Sequence, residues 1–102
     1  MSIAAEIYHD NDAAISIADL PTGLTVEWFI GATAAATTPV NAAVSGTCGE
    51  AGDPPVYTDV LEGAAITDHL TADQEYFLVV KVAQDLRVVG ATTVRALRLA
   101  NA

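Results

Sequence analysis

The chain has 102 residues, 52% hydrophobic and 17% charged, a composition that suits one compact domain with one core and argues against disorder. Its net charge of −9 argues against nucleic acid as a partner, because phosphate binding needs clustered lysine and arginine. No apolar stretch approaches the roughly 20 residues that a membrane-crossing helix requires.

In chain order, residues 3–8 (IAAEIY) place Ile3, Ala5 and Ile7 on one face, which predicts a first strand. Residues 9–12 (HDND) follow as a turn, and Ile15 and Ile17 alternate with Ser16 and Ala18 in a second strand. Pro21 and Gly23 stop that strand and reverse the chain. The third strand, residues 25–30 (TVEWFI), has the clearest period, with Val26, Trp28 and Ile30 on one face and Thr25, Glu27 and Phe29 on the other.

Residues 31–55 are small, polar and rich in turn formers. Because a structureless loop of that length is unusual in a compact domain, an edge strand near 38–45 and a mobile loop near 46–55 are expected. A helix over 32–36 has little support, since threonines surround it and Pro39 limits it. Residues 56–61 (VYTDVL) read as a strand either side of which can face in. Gly63 breaks it, and residues 64–67 are expected to continue it after a kink. In residues 70–83 (LTADQEYFLVVKVA) a turn leads into a strand that puts Tyr76, Leu78, Val80 and Val82 inward and Phe77, Val79 and Lys81 outward. After a turn at 84–86, residues 87–89 and 92–100 supply the last strand, with a bulge expected at Gly90. No internal repeat is visible.

About seven short strands, a tryptophan on the third, and a leucine six residues before a tyrosine resemble the immunoglobulin and fibronectin type III group. That resemblance implies an all-β antiparallel sandwich spanning residues 1–102 as a single domain. It also implies that the Tyr76 hydroxyl bonds back to the turn after Leu70, forming a tyrosine corner. The lack of a cysteine pair fits fibronectin-like or bacterial variants and departs from antibody domains. An acidic, Ala/Thr-rich sandwich of this size is also similar to small virion proteins of tailed bacteriophages, which serve as capsid decoration, head–tail neck or tail components.

The charge is unevenly spread. Residues 1–80 hold twelve acidic residues and no lysine or arginine, whereas Lys81, Arg87, Arg95 and Arg98 lie in the last quarter beside the single acid Asp85. One reading is an uneven solvated surface; the other is a basic edge that meets an acidic face of the next copy. Cys48 is alone, so it forms no intramolecular disulfide and builds no zinc site by itself. No basic segment precedes an apolar run, and neither Asn11 nor Asn41 begins a glycosylation signal. Synthesis in a reducing cytoplasm, without secretion, is the expectation.

Catalysis finds little support. His9 and His69 are the only imidazoles, both in turns, and Cys48 has no neighbouring base in sequence to lower its pKa. Asp10 and Asp12 begin like a calcium loop, but Ile15 stands where an EF-hand needs glycine and Pro21 where it needs glutamate. Joined by Asp53 or Asp59 from other loops they would make a multi-loop calcium site; the simpler reading is a turn with solvated carboxylates. No cofactor is implied. The outward aromatics are the better signal: Phe29, Phe77 and Val79 form an apolar patch on one sheet, with Arg87, Arg95 and Arg98 as its charged rim. Either the two phenylalanines are merely scattered singly, or residues 31–55 fold over them, or another chain covers them. The leading expectation is a non-enzymatic assembly module that contacts copies of itself or other virion proteins as a homo-oligomer. The alternative is a carbohydrate- or cell-surface-binding module that uses the sandwich loops.

Overall fold

Alternation decides the architecture. In the computed structural model, which describes residues 2–9 and 11–84 and the backbone of 87–98, one side of each alternating strand turns to a shared, largely apolar interior. Among the described residues eight strands form: β1 (Ser2–Ala5), β2 (Ala13–Ala18), β3 (Thr25–Gly31), β4 (Ser45–Thr47), β5 (Gly49–Ala51), β6 (Val56–Leu61), β7 (Glu75–Gln84) and β8 (Arg87–Arg98). They pair into two antiparallel four-stranded sheets, in the orders β1-β2-β6-β5 and β4-β3-β7-β8. Ile15, Ile17, Tyr57 and Leu61 from the first sheet and Val26, Trp28, Ile30, Leu78 and Val80 from the second make one buried cluster. Each such side chain contributes about 1.5–3 kcal/mol when withdrawn from water, so this shared interior is the main source of stability.

Strands β2, β3 and β7 fall where the sequence places them, whereas the first strand is Ser2–Ala5 rather than residues 3–8. In β6, which the sequence leaves open, the Tyr57–Leu61 side faces in and Thr58 and Val60 face out. The turn into β7 closes as expected: Leu70 and Tyr76 are buried, and the Thr71 N–H donates to the Tyr76 hydroxyl over 2.9 Å. That bond ties the turn to the strand it feeds, so the last inward tyrosine fixes where β7 begins. Irregular pairing with β8 falls opposite Leu78/Val79 and Val82/Ala83, so one of the two bulges lies beside Gly90, where it is expected.

Three expectations need correction. Residues 64–67 do not extend β6 but belong to a short helix, α1 (Gly63–His69). Four residues are too few for a period of two to be told from a helical turn, and the deciding contacts are distant in sequence. The Gly63 N–H donates to the Asp12 carboxylate over 2.7 Å, and a side chain at Gly63 would press within 3.0 Å of the Asn11 backbone. Ile66 is buried, and the Thr67 hydroxyl lies 3.0 Å from the carbonyls of both His9 and Gly63. The expected edge strand at 38–45 is instead a run of bends and a 3-10 turn (Ala42–Val44), capped by the Asn41 side chain, which accepts from the Ala43 N–H. The expected loop at 46–55 contains most of β4 and all of β5, which Cys48 alone separates. Residues 32–36 form no helix.

Replacing Tyr76 with Phe removes the acceptor of the Thr71 N–H while keeping the ring. Urea denaturation should show a loss of about 1–2 kcal/mol with the far-ultraviolet circular dichroism unchanged. An unaltered midpoint would show that the corner adds no stability.

Candidate functional site

The predicted patch is built on the outer face of the β3–β7 pair, where the register sets Phe29 opposite Val79, Gly31 opposite Phe77 and Glu27 opposite Lys81. Those side chains point away from the Trp28–Val80 interior, as the alternation requires. Their expected exposure does not follow. Phe29 is 6% exposed and Val79 is 5%, both buried within the chain itself, and Phe77 is half-buried. The cover over Phe29 is the segment after β3. The Val40 N–H donates to the Ile30 carbonyl over 3.0 Å, which brings this segment back onto its own strand. Gly31 lets it close, because a Cβ there would lie 2.6 Å from the Ala36 Cβ and 3.3 Å from the Phe29 ring. Of the two covers considered for this patch, the chain's own segment is the one present over Phe29. The side chains of Arg87, Arg95 and Arg98 lie outside the described residues, as does Asp10.

Beside that cover an open groove of about 250 Å³ remains, lined by Glu27, Phe29 and Lys81 of the sheet, Thr37 and Pro39 of the covering segment, and Ser45 and Thr47 of β4. Lys81 is the only lysine or arginine whose side chain is described.

Between the sheets, the Trp28 indole N–H donates to the Asp59 carboxylate over 2.7 Å, joining β3 to β6. The other Asp59 oxygen accepts from the Val60 N–H over 2.8 Å. Gly46 roofs the pair so closely that a Cβ there would lie 2.3 Å from the Asp59 oxygen. Cys48 is half-buried next to this seam, its N–H bound to the Val26 carbonyl over 2.8 Å. Burial, and secondarily the Asp59 charge, push its thiol from 9.0 up to about 11. A thiol held so high is a poor nucleophile at neutral pH.

The carboxylates considered for calcium are not brought together. Asp12 is engaged with the start of α1, at the Leu61 end of β6. Asp53 is exposed in the turn before the opposite end of that strand, and Asp59 is bound to Trp28. No group of three metal-binding side chains occurs among the described residues. His9 Nε2 lies 3.1 Å from the Leu70 carbonyl, fastening the first turn to the turn before β7, and His69 is exposed at the end of α1.

A surface that sequence reading passes over lies on the other sheet. The outward positions of β1, β2 and β6 are Ser2, Ala4, Ala14, Ser16, Ala18, Val56, Thr58 and Val60, in register across the three strands. None carries a charge, and Val60 is 56% exposed, the most exposed large apolar side chain among the described residues. A shallow depression bordered by Ala4, Ala14, Ser16 and Glu6 opens at one side of it. The signal was present in the alternation of Ala14, Ser16 and Ala18, but it became readable only once the inward side of β6 was known. No protein family, curated protein or solved structure matches the chain.

The seam and the thiol each give a test. Gly46→Ala should displace Asp59 from the indole, lowering stability by about 1–3 kcal/mol in denaturant melts and shifting tryptophan emission to the red. At pH 8 the native thiolate fraction should be about 100-fold below that of a thiol titrating at 9.0, giving correspondingly slow alkylation by iodoacetamide. Because the folded thiol titrates above the unfolded one, its stabilising contribution is complete below pH 9.0 and is lost as pH rises through about 11. Fast alkylation of the folded chain at pH 8 would contradict the buried position.

Proposed function

We propose that this chain is a non-enzymatic assembly module on an immunoglobulin/fibronectin type III-like sandwich, docking into a larger particle through the uncharged outer face of the β1-β2-β6-β5 sheet. The observation that carries this reading is an uncharged, partly to fully exposed sheet face on a chain of net charge −9. One solvent-facing side of an antiparallel sheet is ordinarily polar, so a neutral face with Val60 at its most exposed point calls for a partner.

Two features support the finer fold assignment. The orders β1-β2-β6-β5 and β4-β3-β7-β8 correspond to A-B-E-D and C′-C-F-G of an immunoglobulin-type sandwich, and the Thr71–Tyr76 bond lies where such folds place their tyrosine corner. The resemblance to small virion proteins of tailed bacteriophages supplies the setting: a capsid, neck or tail in which copies, or other virion proteins, sit side by side. The partner surface is thus moved from the Phe29–Val79 patch, which the chain covers itself, to the opposite sheet.

The face measures on the order of 300 Å², from about 4.8 Å between strands and 6.8 Å between same-side residues. Stable complexes bury about 800 Å² per partner, so isolated chains should associate weakly and the contact should gain strength through repetition in an array. Sedimentation velocity should show concentration-dependent association that strengthens with salt, since added ions screen the repulsion between acidic chains. Val60→Lys should return the protein to monomer while changing its stability by less than about 0.5 kcal/mol. Phe77→Asp should leave association unchanged. Association indifferent to Val60→Lys, or a strict monomer at every concentration and salt, would remove this face as a self-contact.

A further inference from the structure

We infer that the groove between β4 and the segment covering Phe29 is a binding site for a small zwitterion of the α-amino acid class. The inference does not depend on the assembly reading, which concerns the other sheet.

Glu27 and Lys81 face each other across neighbouring strands, on the outer side, and both line the groove. Directly opposed residues hold their Cβ atoms about 4.5–5.5 Å apart, so a carboxylate and an ammonium are presented side by side. Among the described residues, neither side chain makes a hydrogen bond or ion pair, including with one another. The remainder of the wall is apolar at Trp28, Phe29 and Pro39, hydroxylated at Thr37, Ser45 and Thr47, and bare backbone at Gly46.

A ligand complementary to that wall carries opposite charges close together and a small apolar group beside them. An α-amino acid has this constitution. Its carboxylate meets Lys81, its ammonium meets Glu27, and its side chain lies toward Phe29 and Pro39. A purely anionic ligand would be repelled by Glu27, and a purely cationic one by Lys81. The volume agrees. At about 250 Å³ the groove falls below the roughly 300–1,000 Å³ of sites for drug-sized molecules, which favours a ligand of few atoms. Because both charges stand in contact with water, binding should be weak, in the millimolar range, and salt-sensitive.

The test is a nitrogen–proton correlation titration of the full chain with L-alanine and L-leucine. N-acetyl-L-leucine and L-leucinamide, which each keep one of the two charges, serve as comparators. Saturable shifts should be confined to the amides of residues 27–29, 37, 45–47 and 81. Each singly charged compound, and each of Glu27→Gln and Lys81→Met, should weaken binding by roughly fivefold, the upper end for one exposed pair. The thermal midpoint of each variant verifies that it is folded. Absence of saturable shifts, or equal binding of the blocked compounds, would overturn the inference. Carrying the titration out on the Val60→Lys chain keeps it separate from any self-association.

Discussion

The hydrogen bond from the Trp28 indole to Asp59 is the point where the two sheets are held to one another by direction as well as by area. Apolar contacts between sheets are indifferent to small slides, whereas a short charge-assisted bond is not. Trp28 lies opposite Val80 in one sheet and Asp59 opposite Ile15 in the other, so the bond fixes the stagger of the sheets at their centre. It also constrains the strand beside it. Gly46 passes over the pair where no side chain fits, and β4 takes its position from that close approach. Stripped of its carboxylate partner, the indole N–H would be an unmet donor in the interior, a cost of about 1–3 kcal/mol.

Much of the sandwich was legible because strands β2, β3 and β7 alternate cleanly and are long enough for the alternation to count. Trp28, Tyr76 and Leu70 take the inward places their spacing indicates. What was not legible depended on contacts far apart in the chain. Helix α1 exists because Asp12, fifty-one residues upstream of Gly63, supplies an acceptor at its first turn, and no local pattern encodes that. The short strands β4 and β5 carry only three residues each, too few for any period, and are held by their neighbours. The exposure expected of Phe29 and Val79 was misread for a related reason. The face of Phe29 was read correctly, but its burial is decided by where residues 32–40 go, and that follows from a glycine at 31 that admits the segment.

The two outer faces therefore differ in how much of themselves the chain covers. On the β3–β7 side the chain covers its own aromatic residue and leaves a small charged groove. On the β1–β2–β6 side it leaves an uncharged area uncovered. In the assembly proposed above, like charge over most of an acidic surface would keep copies apart, and the neutral area would set the orientation of close approach.

The single-residue step between β4 and β5 has a mechanical consequence. Cys48 carries the chain from one sheet to the other, so along that border the sandwich is stitched like a folded sheet of card. The opposite borders, β1 and β8, are joined by no such stitch among the described residues. Opening fluctuations should thus part the layers from the β1–β8 side and pivot about residues 47–49. Amide hydrogens near the crease should exchange more slowly than those along the free margin, giving a small domain one preferred direction of breathing.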